Sequence, residues 1–177
     1  MTRRKRLRRV GILCCHCLRN LAFRNAGRRN GSLILNEQFW INVDGNFLDV
    51  CTLEWCKLFA DARGKHYWRK VVTLEQEFAT GLLEKLAISQ SEFDEYVKEV
   101  KAYRDRFVAH LDDDEKMQIP SLALIRTSAS YLYDYILAHE DDGGIFIDAP
   151  SCSMEHYAKH LQEGKVAYEK ARRQLVD

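Results

Sequence analysis

The chain has few residues that interrupt helices, with only two prolines and nine glycines among its 177 residues. Because proline and glycine are the residues that disfavour helices most, their scarcity favours an all-α protein with long helices. The composition, 46% hydrophobic and 30% charged, is that of a folded globular protein and excludes a disordered chain. The length suits one domain with a core of its own.

Long apolar runs and a regular cysteine framework are also missing. No apolar segment approaches the ~18 residues that a membrane-spanning helix needs. The six cysteines are scattered unevenly, unlike the disulfide pattern of a small secreted domain. The run GILCCHCL follows an arginine cluster, as in a signal peptide, but no cleavage-site pattern follows it; the arginine-rich start also resembles a transit peptide, although it has little serine. We therefore expect a cytoplasmic protein with no membrane partner.

Acidic residues are missing from the N-terminal segment. Ten of the 27 basic residues precede Glu37, the first acidic residue, and the rest of the chain carries 17 basic and 26 acidic residues. A basic segment on an acidic body indicates an anionic partner, most obviously nucleic acid. A solvated basic tail is the equal alternative. The candidate RNA-binding residues are Arg3, Arg4, Arg6, Arg8 and Arg9.

Apolar residues recur at three- and four-residue spacing in six segments, which predicts six helices. They cover roughly residues 5–24, 36–59, 74–86 and 91–109, then the segment from Pro120 to EDDGG, and the segment from DAPSCS to Leu175. Ser91 and Asp94 predict a capping box for the fourth helix, and Pro120 suits the first position of the fifth. The segment GGIFIDAP is the exception, because its pattern allows a short extended piece.

Helices of this length with short connections predict an antiparallel helical bundle. The basic helix or arm covers residues 1–30 and the bundle covers residues 31–177, in a single domain overall.

An arginine falls on the apolar side of the fourth helix. At about 100° per residue, the apolar stripe consists of Phe93, Tyr96, Val97, Val100, Tyr103, Phe107 and Leu111. Arg104 lies inside this stripe, whereas Asp105 and Arg106 point away and His110 lies at its edge near the helix end. An arginine there cannot lose its proton, so it needs an anion or an opening to solvent. A structural arginine, ion-paired or reaching water along its stem, is the alternative.

The segment YRDRFVAHLDD resembles the R-x4-6-H signature of the HEPN domain (higher eukaryotes and prokaryotes nucleotide-binding), with Arg104 and His110 separated by five residues. The likeness is to the abortive-infection-like bacterial branch. It extends over roughly residues 36–135, including LEWCKLFAD, GKHYWRK and the block that leads into the motif. The resemblance implies four core helices with extra terminal helices. It also implies a metal-independent endoribonuclease whose composite active site forms at a homodimer interface.

The same resemblance implies roles for the motif residues. Arg104 and His110 would be the catalytic pair, with Asp105 in the polar position that follows the motif arginine, and no metal or other cofactor would be needed. The resemblance implies a toxin or phage-defence effector, with a cognate antitoxin or defence-system protein as a possible partner. Many related toxins carry a tyrosine where this chain has Asp112. The alternatives are a non-catalytic module that binds RNA, a nucleotide or a protein, and a purely structural bundle.

Three other groups of residues have metal-binding character. The CCHC run at residues 14–17 is too tight for a structural zinc site, because consecutive helical residues point in different directions. His156 and His160 have a suitable i, i+4 spacing but no evident third ligand. His110 with Asp112, Asp113 and Asp114 would make a metal-dependent nuclease, which ranks below the metal-independent hypothesis.

Overall fold

A computed structural model of the protein describes residues 1–108, 118–141 and 143–174. Within these residues the chain forms six α-helices and one two-stranded hairpin, which confirms the all-α class. The elements are α1 (Arg3–Ala26), β1 (Arg28–Arg29), β2 (Ser32–Leu33), α2 (Gln38–Phe59), a 3₁₀ turn (Trp68–Lys70), α3 (Glu75–Leu86), α4 (Gln90–Tyr103), a π-helical turn (Arg104–Val108), α5 (Leu122–His139) and α6 (Ser153–Gln174). None of the described helices is both long enough and apolar enough to cross a bilayer.

The N-terminal helix α1 lies in the core of the molecule. Its predicted apolar stripe is buried, and consists of Leu7, Val10, Cys14, Cys17, Leu18 and Leu21. These residues pack against α2, α5 and α6. The helix begins after Thr2, whose hydroxyl accepts a hydrogen bond from the backbone N–H of Lys5. The arginines of the basic segment therefore extend from the outer faces of a core helix.

The helices α1 and α2 run antiparallel. The thiols of Cys17 and Cys51 lie 3.6 Å apart, and two turns further along α1 the side chain of Arg24 lies 3.5 Å from the carboxylate of Asp44. Residues later in α1 thus contact residues earlier in α2. The predicted antiparallel packing describes this pair.

The helices α1 and α6 run parallel. His156 Nε2 donates a hydrogen bond to the Cys15 carbonyl oxygen (3.0 Å), and further along both helices Gly164 packs on Ala26. A Cβ at Gly164 would lie 2.6 Å from the Ala26 methyl group, so the glycine allows the two backbones to approach closely. The bundle is therefore not antiparallel throughout.

The stretch after α1 forms a β-hairpin, where the sequence analysis expected only a helix end. Arg28 pairs with Leu33 and Arg29 with Ser32. The two turn residues between the strands, Asn30 and Gly31, have φ of 50° and 82°. Asn-Gly favours this left-handed turn because glycine has no Cβ and asparagine tolerates positive φ, and such a turn matches the twist of the strands.

Two predicted helix starts are wrong. The α4 capping box is formed by Ser89 and Glu92 rather than by Ser91 and Asp94. Pro120 does not occupy the first helical position of α5, because Ser121 is the N-cap. The segment GGIFIDAP is folded into turns and contains no strand. It lies between α5 and α6, where it packs onto α1 through Phe146.

Candidate functional site

The C-terminal end of α4 positions Arg104. The inward face of α4 is buried, and Tyr103, its last α-helical residue, is 3% exposed. The backbone then widens into the π-helical turn Arg104–Val108. A π-turn has more residues per turn than an α-helix, so angles calculated at 100° per residue no longer apply beyond Tyr103. Such turns are often found at functional sites.

Arg104 is held by two carboxylates. Its Nη1 donates to Asp61 Oδ1 at 2.8 Å, and its Nε donates to Asp105 Oδ1, also at 2.8 Å. Asp61 lies just beyond the end of α2, where its backbone N–H donates to the Cys56 carbonyl oxygen. Arg104 is 15% exposed, which matches its predicted position on the apolar side of the helix. The anion that this position requires is thus supplied by Asp61, a residue that the sequence analysis did not single out.

The charge of Arg104 is stable in these surroundings. Burial lowers the pKa of Arg104, but the hydrogen bonds with Asp61 and Asp105 outweigh that effect and raise its pKa. The nearby thiol of Cys56 has its pKa raised to about 12 by burial, although Arg104 opposes the shift. Cys56 is therefore a protonated thiol at neutral pH and does not supply a thiolate nucleophile. Among the described residues, none accepts a hydrogen bond from Arg104 Nη2.

The second residue of the predicted pair lies outside the described residues. His110 and the acidic residues Asp112, Asp113 and Asp114 fall in the segment 109–117, which the structure does not describe. The pairing of Arg104 with His110 therefore stays a prediction. The alternative metal site on the same segment also stays a prediction.

Two of the five predicted RNA-binding arginines are tied to neighbouring backbone and side chains. Arg3 forms an ion pair with Glu140, which is 4% exposed and also accepts hydrogen bonds from Thr73. Arg6 donates to the Lys70 carbonyl oxygen at 3.3 Å. These contacts join the start of α1 to the connection that precedes α3 and to the end of α5.

The other three arginines of the set are exposed. Arg4 and Arg8 lie one helical turn apart and line a groove beside the segment 144–150. Arg9 lies on the side of His66, whose pKa is lowered first by burial and then by Arg9. The helix thus divides the five arginines between two sides of α1, with only Arg4 and Arg8 facing the groove.

Two further basic residues of the N-terminal segment are structural. Arg28 binds Asp44 through two hydrogen bonds, from Nε (2.8 Å) and from Nη2 (2.7 Å). Arg24 is 5% exposed and lies on the same carboxylate. These contacts fix the hairpin and the end of α1 to α2, so Arg24 and Arg28 are not available to a partner.

The CCHC run does not converge on a common point. Cys14 and Cys17 are buried, whereas Cys15 and His16 are half-buried on another face of α1. Across residues 1–108, 118–141 and 143–174, no three histidine, cysteine or acidic side chains come together in a way that would hold a metal ion.

The chain matches no family model, no curated protein and no solved structure with which it was compared. The resemblance to the HEPN family therefore rests on the motif around Arg104 and His110 and on the helical setting of that motif.

Proposed function

We propose that the protein is a metal-independent endoribonuclease of the HEPN type, with Arg104, Asp105 and His110 as its catalytic residues. The observation that supports this proposal is the state of Arg104. Its guanidinium is permanently charged, largely shielded from solvent and oriented by two carboxylates at the end of α4. Its Nη2 has no acceptor among the described residues, which leaves one edge of the guanidinium for a phosphate.

The chemistry matches the residue types. RNA supplies its own nucleophile, the 2′-OH, so the protein needs only a proton acceptor and a cation. His110 would accept the proton of the 2′-OH, because an imidazole titrates near neutral pH. Arg104 would stabilise the negative charge that develops on the phosphorane. Asp61 and Asp105 orient the guanidinium before substrate binds, so that little rearrangement is needed during the reaction.

The site would form between two copies of the chain. In a symmetric dimer, the end of α4 from one protomer meets the same surface of the other. Two Arg104 side chains would then contribute to one cleft. An antitoxin or other defence-system protein that covers this surface would inhibit the enzyme.

Cleavage of RNA in the presence of EDTA tests the proposal. We expect the wild-type protein to cleave, and the Arg104→Ala and His110→Ala variants to lose at least about 100-fold in rate. Lys101→Ala is the matched control, because Lys101 is exposed on α4 one turn before Arg104. Cleavage that persists in both motif variants would refute the site.

Two further outcomes distinguish the alternatives. If EDTA abolishes cleavage, the acidic residues near His110 hold a metal and the metal-independent mechanism is wrong. If light scattering shows a strict monomer at the concentrations of the assay, the composite site does not form.

A non-catalytic binding module is the second candidate function. The observation that favours it is the double pairing of Arg104, since a guanidinium neutralised by Asp61 and Asp105 also fits a structural ion pair. In that case RNA or a protein partner would bind without being cut, and Arg104→Ala would lower stability rather than activity.

A further inference from the structure

A groove of about 450 Å³ lies between the outer face of α1 and the segment 144–150. Its two walls are fixed to each other. Phe146 packs against the backbone of Gly11, where a Cβ would lie 2.5 Å from a ring carbon of the phenylalanine. The Tyr133 hydroxyl donates to the Pro150 carbonyl oxygen at 2.5 Å. The groove is therefore preformed rather than opened by a moving loop.

Five of the side chains that line this groove are basic. They are Arg4, Arg8, His16, Arg19 and His156. Among the described residues of the lining, Asp148 alone is acidic. None of the three arginines has an ion pair or a hydrogen bond with a described residue. This contrasts with Arg24, Arg28 and Arg104, each of which lies against a carboxylate.

Two carboxylates near the connection between α5 and α6 are hydrogen-bonded to other groups rather than to these arginines. Asp134 accepts hydrogen bonds from the backbone N–H and the hydroxyl of Ser153, at 2.9 and 2.6 Å. Asp141 accepts from the backbone N–H of Ile145 at 2.7 Å. Both carboxylates thus stabilise the ends of the connection between α5 and α6, and neither is hydrogen-bonded to an arginine of the groove.

The positive charge is divided between the two ends of the groove. Arg4 and Arg8 lie at one end, where a Cβ at Gly143 would be 3.5 Å from Arg4 Nη1. Arg19 lies at the other end with His156, and the rise of an α-helix places its Cα roughly 16 Å from that of Arg8. Burial is the largest effect on the pKa of His156 and lowers it; the hydrogen bond with the Cys15 carbonyl oxygen opposes this, and His160 and then Arg19 lower the pKa further.

Apolar side chains lie between the two basic ends. Ile12, which is 43% exposed, follows Arg8 by one turn of α1. Across the groove lie Phe146 and Ile147, the latter 82% exposed. Exposed apolar residues between basic side chains are typical of a site for a ligand with a planar or apolar body.

We propose that this groove binds a small molecule that carries phosphate groups at both ends of a planar or apolar body. Arginine binds phosphate through two parallel hydrogen bonds, and a pair of arginines one turn apart can share one phosphate. The volume lies within the range of small-molecule sites. The lining shares no residue with the surroundings of Arg104, so this proposal does not depend on the ribonuclease activity.

Calorimetric titration of the full chain tests the proposal, with biphenyl-4,4′-diyl bisphosphate as the probe, because its two phosphate groups stand at opposite ends of a planar body. We expect saturable binding of one molecule per chain. The parent 4,4′-dihydroxybiphenyl, which has the body without phosphate, should bind at least about tenfold more weakly, and so should inorganic pyrophosphate, which has phosphate without the body. Absence of binding by the bisphosphate, whether or not pyrophosphate binds, would overturn the proposal.

Variants at the two ends locate the site. Arg8→Glu and Arg19→Glu should each raise the Kd of the bisphosphate at least about tenfold, because each replaces an attractive charge by a repulsive one. Arg9→Glu is the matched control, because Arg9 is an exposed arginine of the same helix that does not line the groove. Equal binding by wild type and both groove variants would refute the site.

A single-stranded oligouridylate distinguishes a small ligand from RNA. If the oligonucleotide binds and loses affinity in Arg8→Glu and Arg19→Glu, whereas the bisphosphate does not bind, the groove is part of an RNA path and the small-molecule proposal is wrong. Binding here is measured without cleavage, so failure of this proposal and failure of the ribonuclease proposal give different results.

Discussion

Arg24, Arg104 and Arg8 carry the same charge in three different surroundings. Arg24 is buried against Asp44 and links two helices. Arg104 is mostly shielded but has one edge unused among the described residues. Arg8 is exposed and lies in a groove without a carboxylate partner in the described chain. Local anions thus decide whether an arginine stabilises the fold or remains available for a ligand.

Two serines of α5 give a matched test of buried polar groups. The buried Trp55 donates from Nε1 to Ser128 Oγ at 2.8 Å. Ser128→Ala would leave this N–H without an acceptor, so we expect the free energy of unfolding to fall by about 1–3 kcal/mol. The buried Ser130 hydroxyl has no hydrogen-bond partner in the described residues, and Ser130→Ala should change stability by less than about 0.5 kcal/mol. Urea denaturation of both variants measures the difference. Equal losses would show that the bond to Trp55 contributes nothing.

At the scale of elements, α4 shows how a helix is defined at its two ends. Its start is fixed by a reciprocal cap, in which Ser89 Oγ accepts from the Glu92 N–H and the Glu92 carboxylate accepts from the Ser89 N–H. Its end passes into the π-turn at Arg104. The π-turn moves Phe107 and Val108 to half-buried positions while Asp105 remains exposed beside Arg104.

Alanine substitutions can test whether Ser89, the observed N-cap of α4, or Ser91, the predicted one, stabilises the start of the helix. Ser89→Ala removes the acceptor for the Glu92 N–H, and we expect a loss of about 1 kcal/mol, or a fall in Tm of about 2–4 °C. Ser91→Ala should leave Tm nearly unchanged, because Ser91 is exposed inside the first turn. Thermal unfolding followed by circular dichroism measures both. A larger fall for Ser91→Ala would contradict the observed start of α4.

The helices of this protein could be predicted from the sequence, but their contacts could not. The α1 stripe, from Leu7 to Leu21, follows from apolar spacing alone, because a helix buries every third or fourth residue. The cap of α4 was misplaced because Ser89 and Ser91 are two residues apart and each is followed three residues later by an acidic residue. The sequence pattern therefore fits either serine as the N-cap. The partner of Arg104 could not be found, since Asp61 lies 43 residues away and meets it only when α2 packs on α4. The available signal for this partner was the position of Asp61, an acidic residue just after the apolar stripe of α2.

At the scale of the whole molecule, three histidines make stability depend on pH. Burial lowers the pKa of His16, His66 and His156, in each case as the largest effect. Because the unfolded state then binds protons at a higher pH than the folded state, their contribution to stability is complete above about pH 6.5. It is lost as the pH falls through the lower pKa values of the folded protein.

We expect the urea midpoint to fall between pH 7.5 and pH 5.5, a window above the titration of most carboxylates. A variant that combines His16→Gln with His156→Gln should show a shallower fall, because glutamine takes up no proton. A midpoint that rises toward pH 5.5 would contradict the direction of these pKa shifts.

The parallel pairing of α1 with α6 has a consequence for how the chain folds. Cys15 and His156, which join these helices, are separated by 141 residues. The entropy lost on closing so long a loop must be overcome before α1 can form its contacts with α6. Proteins whose contacts are distant in sequence fold more slowly than helical proteins with local contacts. We therefore expect slow folding for an all-α chain, with the face of α1 that packs on α6 exposed to solvent until α6 docks.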